Sequence, residues 1–270
     1  MLNTSPSALP KSHFYKYQGA GNDFVLIDNR DLKFEYKHNN NVLQLCNRRF
    51  GIGGDGLMLL QSHPEYDFEM LYFNADGQLG SMCGNGGRCI VAFAKHLGII
   101  DSETNFLAVD GPHYAKISAE GNWVDLQMID VNKIGKDGNA YVLNTGSPHY
   151  VDQVKELGTL DVFKQGSAIR NNETYQQEGI NVNFVEDKGD YLFVRTFERG
   201  VEDETYACGT GVTAVALAMA IENQQTGKLK TNIEVLGGKL RIEFNYDGET
   251  FSNVFLCGPA TLVFEGDITL

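Results

Sequence analysis

Two cysteines stand in matched surroundings. Cys83-Gly84-Asn85-Gly86 and Cys208-Gly209-Thr210-Gly211 each precede an apolar run, and they lie 125 positions apart. A cysteine that enters a helix sits near the positive end of the helix dipole. Free backbone N–H groups there favour anions, a thiolate included. The glycines let a small molecule approach the backbone, and the same N–H groups can hold a carboxylate. Each turn therefore offers a reactive sulfur beside an anion cradle. Either cysteine alone reads as well as a small buried hydrophobe before a helix; the matched pair shifts the reading to chemistry. For Cys46, Cys89 and Cys257, in apolar, helical or strand-like surroundings, the packing role is the expectation.

Two opposed acid/base groups of one kind suit inversion of a stereocentre. One removes the α-proton from one face and the other protonates the opposite face, so one sulfur must be thiolate and the other thiol. The difficult species is the carbanion. No signature of a pyridoxal phosphate site occurs, so no cofactor is expected; the alternative is to hold the α-carboxylate between two helix N-termini. Donors aimed at a developing oxyanion are worth roughly 3–4 kcal/mol each in acyl transfer. Polar recognition would come from Asn22, Asn74, Asn181 and the pair Glu198-Arg199. Their plainer readings are turn asparagines and a surface ion pair. His149 follows Pro148 and reads as solvated or as tuning a nearby thiol.

The elements that must position these residues are mostly strands. Phe24–Ile27, Leu57–Leu60, Phe68–Phe73, Val124–Met128, Ile180–Val185, Tyr191–Phe197, Ile233–Val235, Leu240–Phe244 and Phe251–Leu256 are β-branched or aromatic and are separated by Gly, Asn and Asp. Two segments predict helix, about Gly86–His96, capped by Gly98, and about Gly211–Glu222. Both are apolar nearly all round, so each is buried on every side. Strands around one buried helix suggest a sheet curled about it, here twice. Gly21-Asn22-Asp23-Phe24 and Gly146-Ser147-Pro148-His149 also stand 125 positions apart, which makes duplication the expected origin. The boundary is expected near residue 128.

Composition bounds the rest. The chain has 270 residues, a mass of 29.9 kDa and a net charge of −13, which suits two domains and argues against nucleic-acid binding. The apolar run from Gly211 to Ile221 is too short to span a bilayer, so no membrane partner is expected. The first dozen residues lack a secretory apolar stretch and read as a flexible leader on a cytoplasmic protein. Five cysteines, with no CxxC pair and no HExxH, predict reduced thiols and no metal site.

The residues resemble a known family. Gly21-Asn22-Asp23-Phe24, Gly51-Ile52-Gly53-Gly54-Asp55-Gly56, Phe73-Asn74-Ala75-Asp76-Gly77, Cys83 through Cys89, Ser147-Pro148-His149 and Glu198-Arg199-Gly200 through Gly211 look like diaminopimelate epimerase, in that family's order from about residue 14 onward. The resemblance implies an α/β (α+β) fold of two pseudo-symmetric domains, each a mixed β-barrel around a central helix, with the site between them. It implies a flexible leader over 1–13, a first barrel over 14–127 joined by a returning segment 262–270, and a second barrel over 128–261. It implies a cofactor-independent epimerase acting on LL- and meso-2,6-diaminopimelate in lysine and peptidoglycan precursor synthesis. Carried over, Cys83 and Cys208 transfer the proton, and Gly84, Asn85, Gly209 and Thr210 hold the reacting carboxylate. Asn22, Asn74, Asn181, Glu198 and Arg199 hold the amino groups and the distal carboxylate, and His149 and Glu198 tune the thiols. Two positions depart from some relatives: Gly56 replaces Gln and so offers no side chain, and Ser147 replaces Asn but keeps a hydrogen bond. Phe264 replaces a tyrosine that some relatives use in dimerisation, which weakens but does not remove the expectation of a homodimer.

Other readings carry their own tests. A racemase of proline, hydroxyproline or histidine shares the two-thiol logic, but fits Asn74-Ala75-Asp76-Gly77 and Glu198-Arg199-Gly200 less well. A thiol oxidoreductase lacks its CxxC. A non-catalytic small-molecule binding protein explains a cleft and a duplication, but not two helix-activated thiols.

Overall fold

Two helices buried on every side organise the chain. The computed structural model describes residues 11–36, 39–80 and 82–269. Its helices are α1 (Asn39–Cys46), α2 (Gly84–His96), α3 (Val162–Arg170) and α4 (Gly209–Glu222). Every residue of α2 from Gly84 to Ala94 is buried, as is α4 from Gly211 to Ala220. Strands pack around each. That is the outcome a helix without a polar face requires.

The same ladder occurs twice. In the first half Lys11–Gly19 pairs antiparallel with Asn22–Asp28, which pairs parallel with Gly56–Gln61, then antiparallel with Phe68–Asn74. Next come a parallel pair with Glu103–Ala108 and antiparallel pairs through Gly111–Ile117 to Trp123–Gln127. The second half repeats that order of antiparallel and parallel pairs from Ala140–Asn144 through Pro148–Gln153, Asn181–Asp187, Leu192–Glu198, Gly227–Val235 and Gly238–Tyr246 to Phe251–Pro259. Helices α1 and α3 occupy matching connections, and so do α2 and α4. This is the architecture of two similar mixed α/β barrels. The halves are joined where Phe251–Pro259 pairs with Trp123–Gln127, and the last strand, Thr261–Thr269, returns to pair with Lys11–Gly19. We propose the division into 14–127 with 262–270, and 128–261, on this repeat.

Residues 11–13, which the sequence assigns to a leader, belong to a strand. Residues 1–10 lie outside the described residues, but Lys11, Ser12 and His13 open the first strand, opposite Thr269, Ile268 and Asp267. Lys11-Ser12-His13 carries no apolar signal; its pairing depends on a strand more than 250 residues away. Both central helices also start two residues early, at Gly84 and Gly209. Glycine-rich first turns have low helix propensity, so the apolar run alone places the start too late. Their glycines answer a packing demand: a Cβ on Gly209 would lie 3.3 Å from Gly84 Cα, and one on Gly84 would lie 2.7 Å from a Leu256 methyl. Helix α2 does end as expected. Gly98 is left-handed at φ +70°, and the Gly98 and Ile99 N–H groups donate to the Lys95 and Ala94 carbonyls.

Sequence periodicity misses α1 and α3. Helix α3 carries Gly166 mid-helix, where a Cβ would lie 2.3 Å from Phe197 Cβ. Close approach to the strand thus requires a residue that weakens the helical signal.

The α2 core gives a direct stability test. Phe93 is fully buried, with its ring 4.8 Å from Tyr15 and 5.9 Å from Tyr17 between centroids. Phe93→Ala should cost about 3–5 kcal/mol of folding stability, read from urea unfolding. A loss under about 1 kcal/mol would contradict a close-packed barrel interior.

Candidate active site

The two helix N-termini abut, so the Cys-Gly-x-Gly turns share one locus. Cys83 and Cys208 are the N-cap residues of α2 and α4, both extended, with φ −100° and −114°. Cys83 is half-buried and Cys208 is 6% exposed. Burial pushes both thiols up. The Glu198 carboxylate pushes in the same direction, while backbone N–H groups at Asn85, Gly86 and Gly211 oppose it. Cys46, Cys89 and Cys257 are buried elsewhere in the fold. Burial raises the Cys46 and Cys89 thiols as well; what sets them apart is position, since Cys46 ends α1 and Cys89 lies inside α2, and neither stands at a helix N-terminus.

Around Cys83 the partners come from the first half. Its Sγ lies 3.7 Å from Asn22 Oδ1, and Asn85 Nδ2 donates to that oxygen at 3.3 Å. Asn22 Nδ2 donates to the Asp55 carboxylate, which also takes a 2.7 Å hydrogen bond from Arg48. Asn85 reaches across to the second half, donating to the Ala207 carbonyl at 3.0 Å. Arg88 is fully buried and donates to Asn85 Oδ1, Gly84 O and Pro259 O at 3.0–3.4 Å.

Around Cys208 the partners form a chain. Sγ lies 3.6 Å from Thr210 Oγ1, which lies 3.2 Å from Ser147 Oγ, which lies 3.0 Å from His149 Nε2. His149 is fully buried, and burial lowers its pKa to about 3, so the imidazole is neutral. Asn181 donates to Ser147 Oγ at 3.1 Å and accepts the Arg199 backbone N–H at 2.9 Å. Glu198 accepts from Thr205 Oγ1 at 3.0 Å, and burial raises its pKa. The Arg199 guanidinium is anchored on the Glu178 carbonyl at 2.9 Å, with its side chain at the surface.

Most of the sequence-predicted residues therefore converge. Asn22, Gly84 and Asn85 lie about Cys83, while Ser147, His149, Asn181, Gly209 and Thr210 lie about Cys208. Asn74 stands apart from these bonds; it ends its strand opposite Gly56, with its amide beside Gly80. The side chains of Asn85, Ser147 and Asn181 are engaged by neighbours, so their polarity is fixed by protein partners. Sequence reasoning missed Asn183, Asp55, Arg88 and Tyr72. Asp55 and Arg88 lie inside two of the motifs that carry the family resemblance. Asn183 repeats Asn181 at the strand period of two, which was the available signal. Tyr72 explains Gly56: a Cβ there would lie 2.4 Å from its ring. Among the described residues, no group of three or more His, Cys, Asp or Glu side chains is placed to hold a metal ion, and no helix is long and apolar enough to cross a membrane.

Paired barrels of this topology, each with a helix inside, place the chain in a class of two-domain α/β folds. Solved structures share it at low identity: a PhzF-family phenazine biosynthesis protein from Bacillus anthracis (TM-score 0.77, 13% identity, 97% of this chain and 100% of that one) and a hydroxyproline epimerase from Agrobacterium vitis (TM-score 0.69, 12% identity, 96% and 93%). These likenesses speak for the fold alone. Sequence is more specific: residues 14–134 and 141–263 match the family model for diaminopimelate epimerase. Relatives bearing that name are 50% identical over 258 residues in Flavobacterium psychrophilum (94% of this chain, 99% of the relative) and 44% over 262 residues in Chlorobaculum tepidum (93% and 99%). The chain belongs to the diaminopimelate epimerase family.

Proposed function

We infer that the protein interconverts LL- and meso-2,6-diaminopimelate without a cofactor, as an isomerase of lysine and peptidoglycan precursor biosynthesis. The observation that carries the mechanism is the abutment of two helix N-termini, each capped by a cysteine, from separate, duplicated halves. The α-carboxylate sits across the two helix N-termini, on backbone N–H groups at Gly84, Asn85, Gly209 and Thr210. Those donors stabilise the enediolate as the α-proton leaves. A thiolate on one side takes the proton and a thiol on the other returns one, inverting the centre. Glu198 and Asn22 receive the ammonium end, and Asn74 and Arg199 the distal carboxylate, with Asn181 holding the Arg199 backbone. His149 acts on Cys208 through Ser147 and Thr210. A homodimer in the cytoplasm belongs to the same proposal. Support for the dimer is the strand Thr261–Thr269, which leaves Val263 54% and Phe264 47% exposed.

The test is incubation of pure reduced protein with LL-diaminopimelate and no added cofactor, following the meso isomer by chiral chromatography. Turnover is expected under these conditions. With no substrate between them, opposed thiols can close to a disulfide, so activity is expected to fall on air oxidation and to return with a dithiol. Turnover that required added pyridoxal phosphate or a metal, or that survived oxidation of both thiols, would contradict the reading.

A further inference from the structure

The two sulfurs end hydrogen-bond chains of opposite polarity, and each polarity can be read step by step. Asn183 is fully buried. Its Oδ1 accepts from Thr196 Oγ1 at 3.0 Å and its Nδ2 donates to the Tyr150 carbonyl at 3.0 Å, which fixes the amide's orientation. Nδ2 therefore also donates to His149 Nδ1, 3.1 Å away. A neutral imidazole that accepts at Nδ1 carries its proton on Nε2, so Nε2–H donates to Ser147 Oγ. Asn181 is fixed in the same way, by the Arg199 N–H on its oxygen and the Pro148 carbonyl on its nitrogen, and it too donates to Ser147 Oγ. With both lone pairs filled, the Ser147 hydroxyl donates to Thr210 Oγ1. The Thr210 hydroxyl is then left to donate to Cys208 Sγ.

The chain at Cys83 runs the other way. The Arg88 guanidinium holds Asn85 Oδ1, so Asn85 turns its amide hydrogens to Ala207 O and Asn22 Oδ1. The Asp55 carboxylate takes the Asn22 amide. Asn22 is thereby left presenting its carbonyl oxygen to Cys83 Sγ. A donor stabilises a thiolate; an acceptor stabilises the thiol. Backbone N–H groups at the helix ends favour a thiolate at both sulfurs, Asn85 and Gly86 at Cys83 and Gly211 at Cys208, so the difference in side-chain polarity is what the order rests on.

We propose that Cys208 is the resting thiolate and Cys83 the resting thiol, and that Asn183, Arg88 and Asp55 are positioning residues that set this order. The proposal deepens the two-thiol reading and rests on it. In the first turnover the Cα–H bond breaks toward Cys208, which becomes the thiol. Cys83 gives its proton to the opposite face and becomes the thiolate. The resting enzyme then receives directly the stereoisomer whose α-hydrogen faces Cys208, and the other isomer only after the protons have exchanged.

Other charges bear on the order. Glu198 opposes a thiolate at either position. The Tyr72 phenol near Cys83 is kept neutral by burial. Arg88 acts in two opposed ways: its charge favours a Cys83 thiolate through space, while its hydrogen bond turns Asn85 and Asn22 to favour the thiol. Its guanidinium bonds three oxygens and no sulfur.

Iodoacetamide alkylation, resolved by peptide mass spectrometry and followed against pH, decides the order. Cys208 is measured in Cys83→Ser protein and Cys83 in Cys208→Ser protein, so that coupling between the thiols does not blur the midpoints. The Cys208 midpoint is expected at least about one pH unit below that of Cys83, a tenfold difference in ionisation. Thr210→Val in the Cys83→Ser background should raise the Cys208 midpoint by about one unit or more, and Asn183→Leu should move it in the same direction. A Cys83 midpoint below that of Cys208 would overturn the proposal and put the Arg88 charge in control; so would a Cys208 midpoint that Thr210→Val leaves unmoved. The measurement needs no turnover. A failure of the epimerase reading, seen as absent product from diaminopimelate, is therefore distinct from a failure of the order.

Discussion

Cys83→Ala and Cys208→Ala should each reduce the kcat for inversion by at least about 10³-fold, within the range that positioned acid–base groups contribute. Inversion needs a proton acceptor on one face of the α-carbon and a donor on the other. With one sulfur removed, the remaining thiol can still exchange the α-proton on its own face, so hydrogen exchange with retention is the activity that survives. The fold should tolerate both changes, because each cysteine caps its helix without a side-chain hydrogen bond to that end. Chiral product analysis and α-hydrogen exchange on the same samples check both parts. Inversion within tenfold of wild type by either variant would remove the two-base mechanism. Changes at Cys46, Cys89 or Cys257 should instead appear as lost stability, since those side chains are fully or almost fully buried in packed regions.

Arg199→Met should cost at least ~2 kcal/mol in kcat/KM for diaminopimelate, the loss expected when a charge contact to a carboxylate is cut. The guanidinium is a rigid fork suited to a carboxylate. Its anchoring on the Glu178 carbonyl, with its own N–H held by Asn181, gives it a defined place at the end of the strand that carries Glu198. Diaminopimelate has a distal carboxylate, and lysine does not. Wild-type protein should therefore leave lysine almost untouched. Equal kcat/KM of wild type and Arg199→Met would make Arg199 an ordinary surface cation. Comparable turnover of lysine or proline by wild type would overturn the substrate assignment and leave the two-thiol mechanism standing.

The duplication was legible because both Cys-Gly-x-Gly turns precede helices with no polar face. A helix of that kind has to be wrapped, and only strands were available to wrap it. The first-turn glycines blurred the helix starts, since residues chosen for close approach at Gly84 and Gly209 look like loop. The pairing of Lys11, Ser12 and His13 with the chain's last strand was not legible, because register with so distant a partner leaves no local pattern in polar residues. The polar network was partly legible. Asn22, Ser147, His149 and Thr210 fall in recognisable turns, whereas the meaning of Asn183 lies in which atom of its amide faces His149. Periodicity places a side chain on a face of the sheet; it says nothing of the donor and acceptor directions that set the polarity of a site.

The most direct test of the account is one time course in deuterated water. Reduced, cofactor-free protein is mixed with LL-diaminopimelate, and hydrogen content at the α-carbons of product and remaining substrate is followed by mass spectrometry over the first few per cent of reaction. Two separate thiols predict that the early meso product carries one solvent deuterium at the inverted centre while unreacted substrate stays protiated. Early product that keeps the substrate's own hydrogen would mean a single base working on both faces, and would contradict the pairing of Cys83 with Cys208.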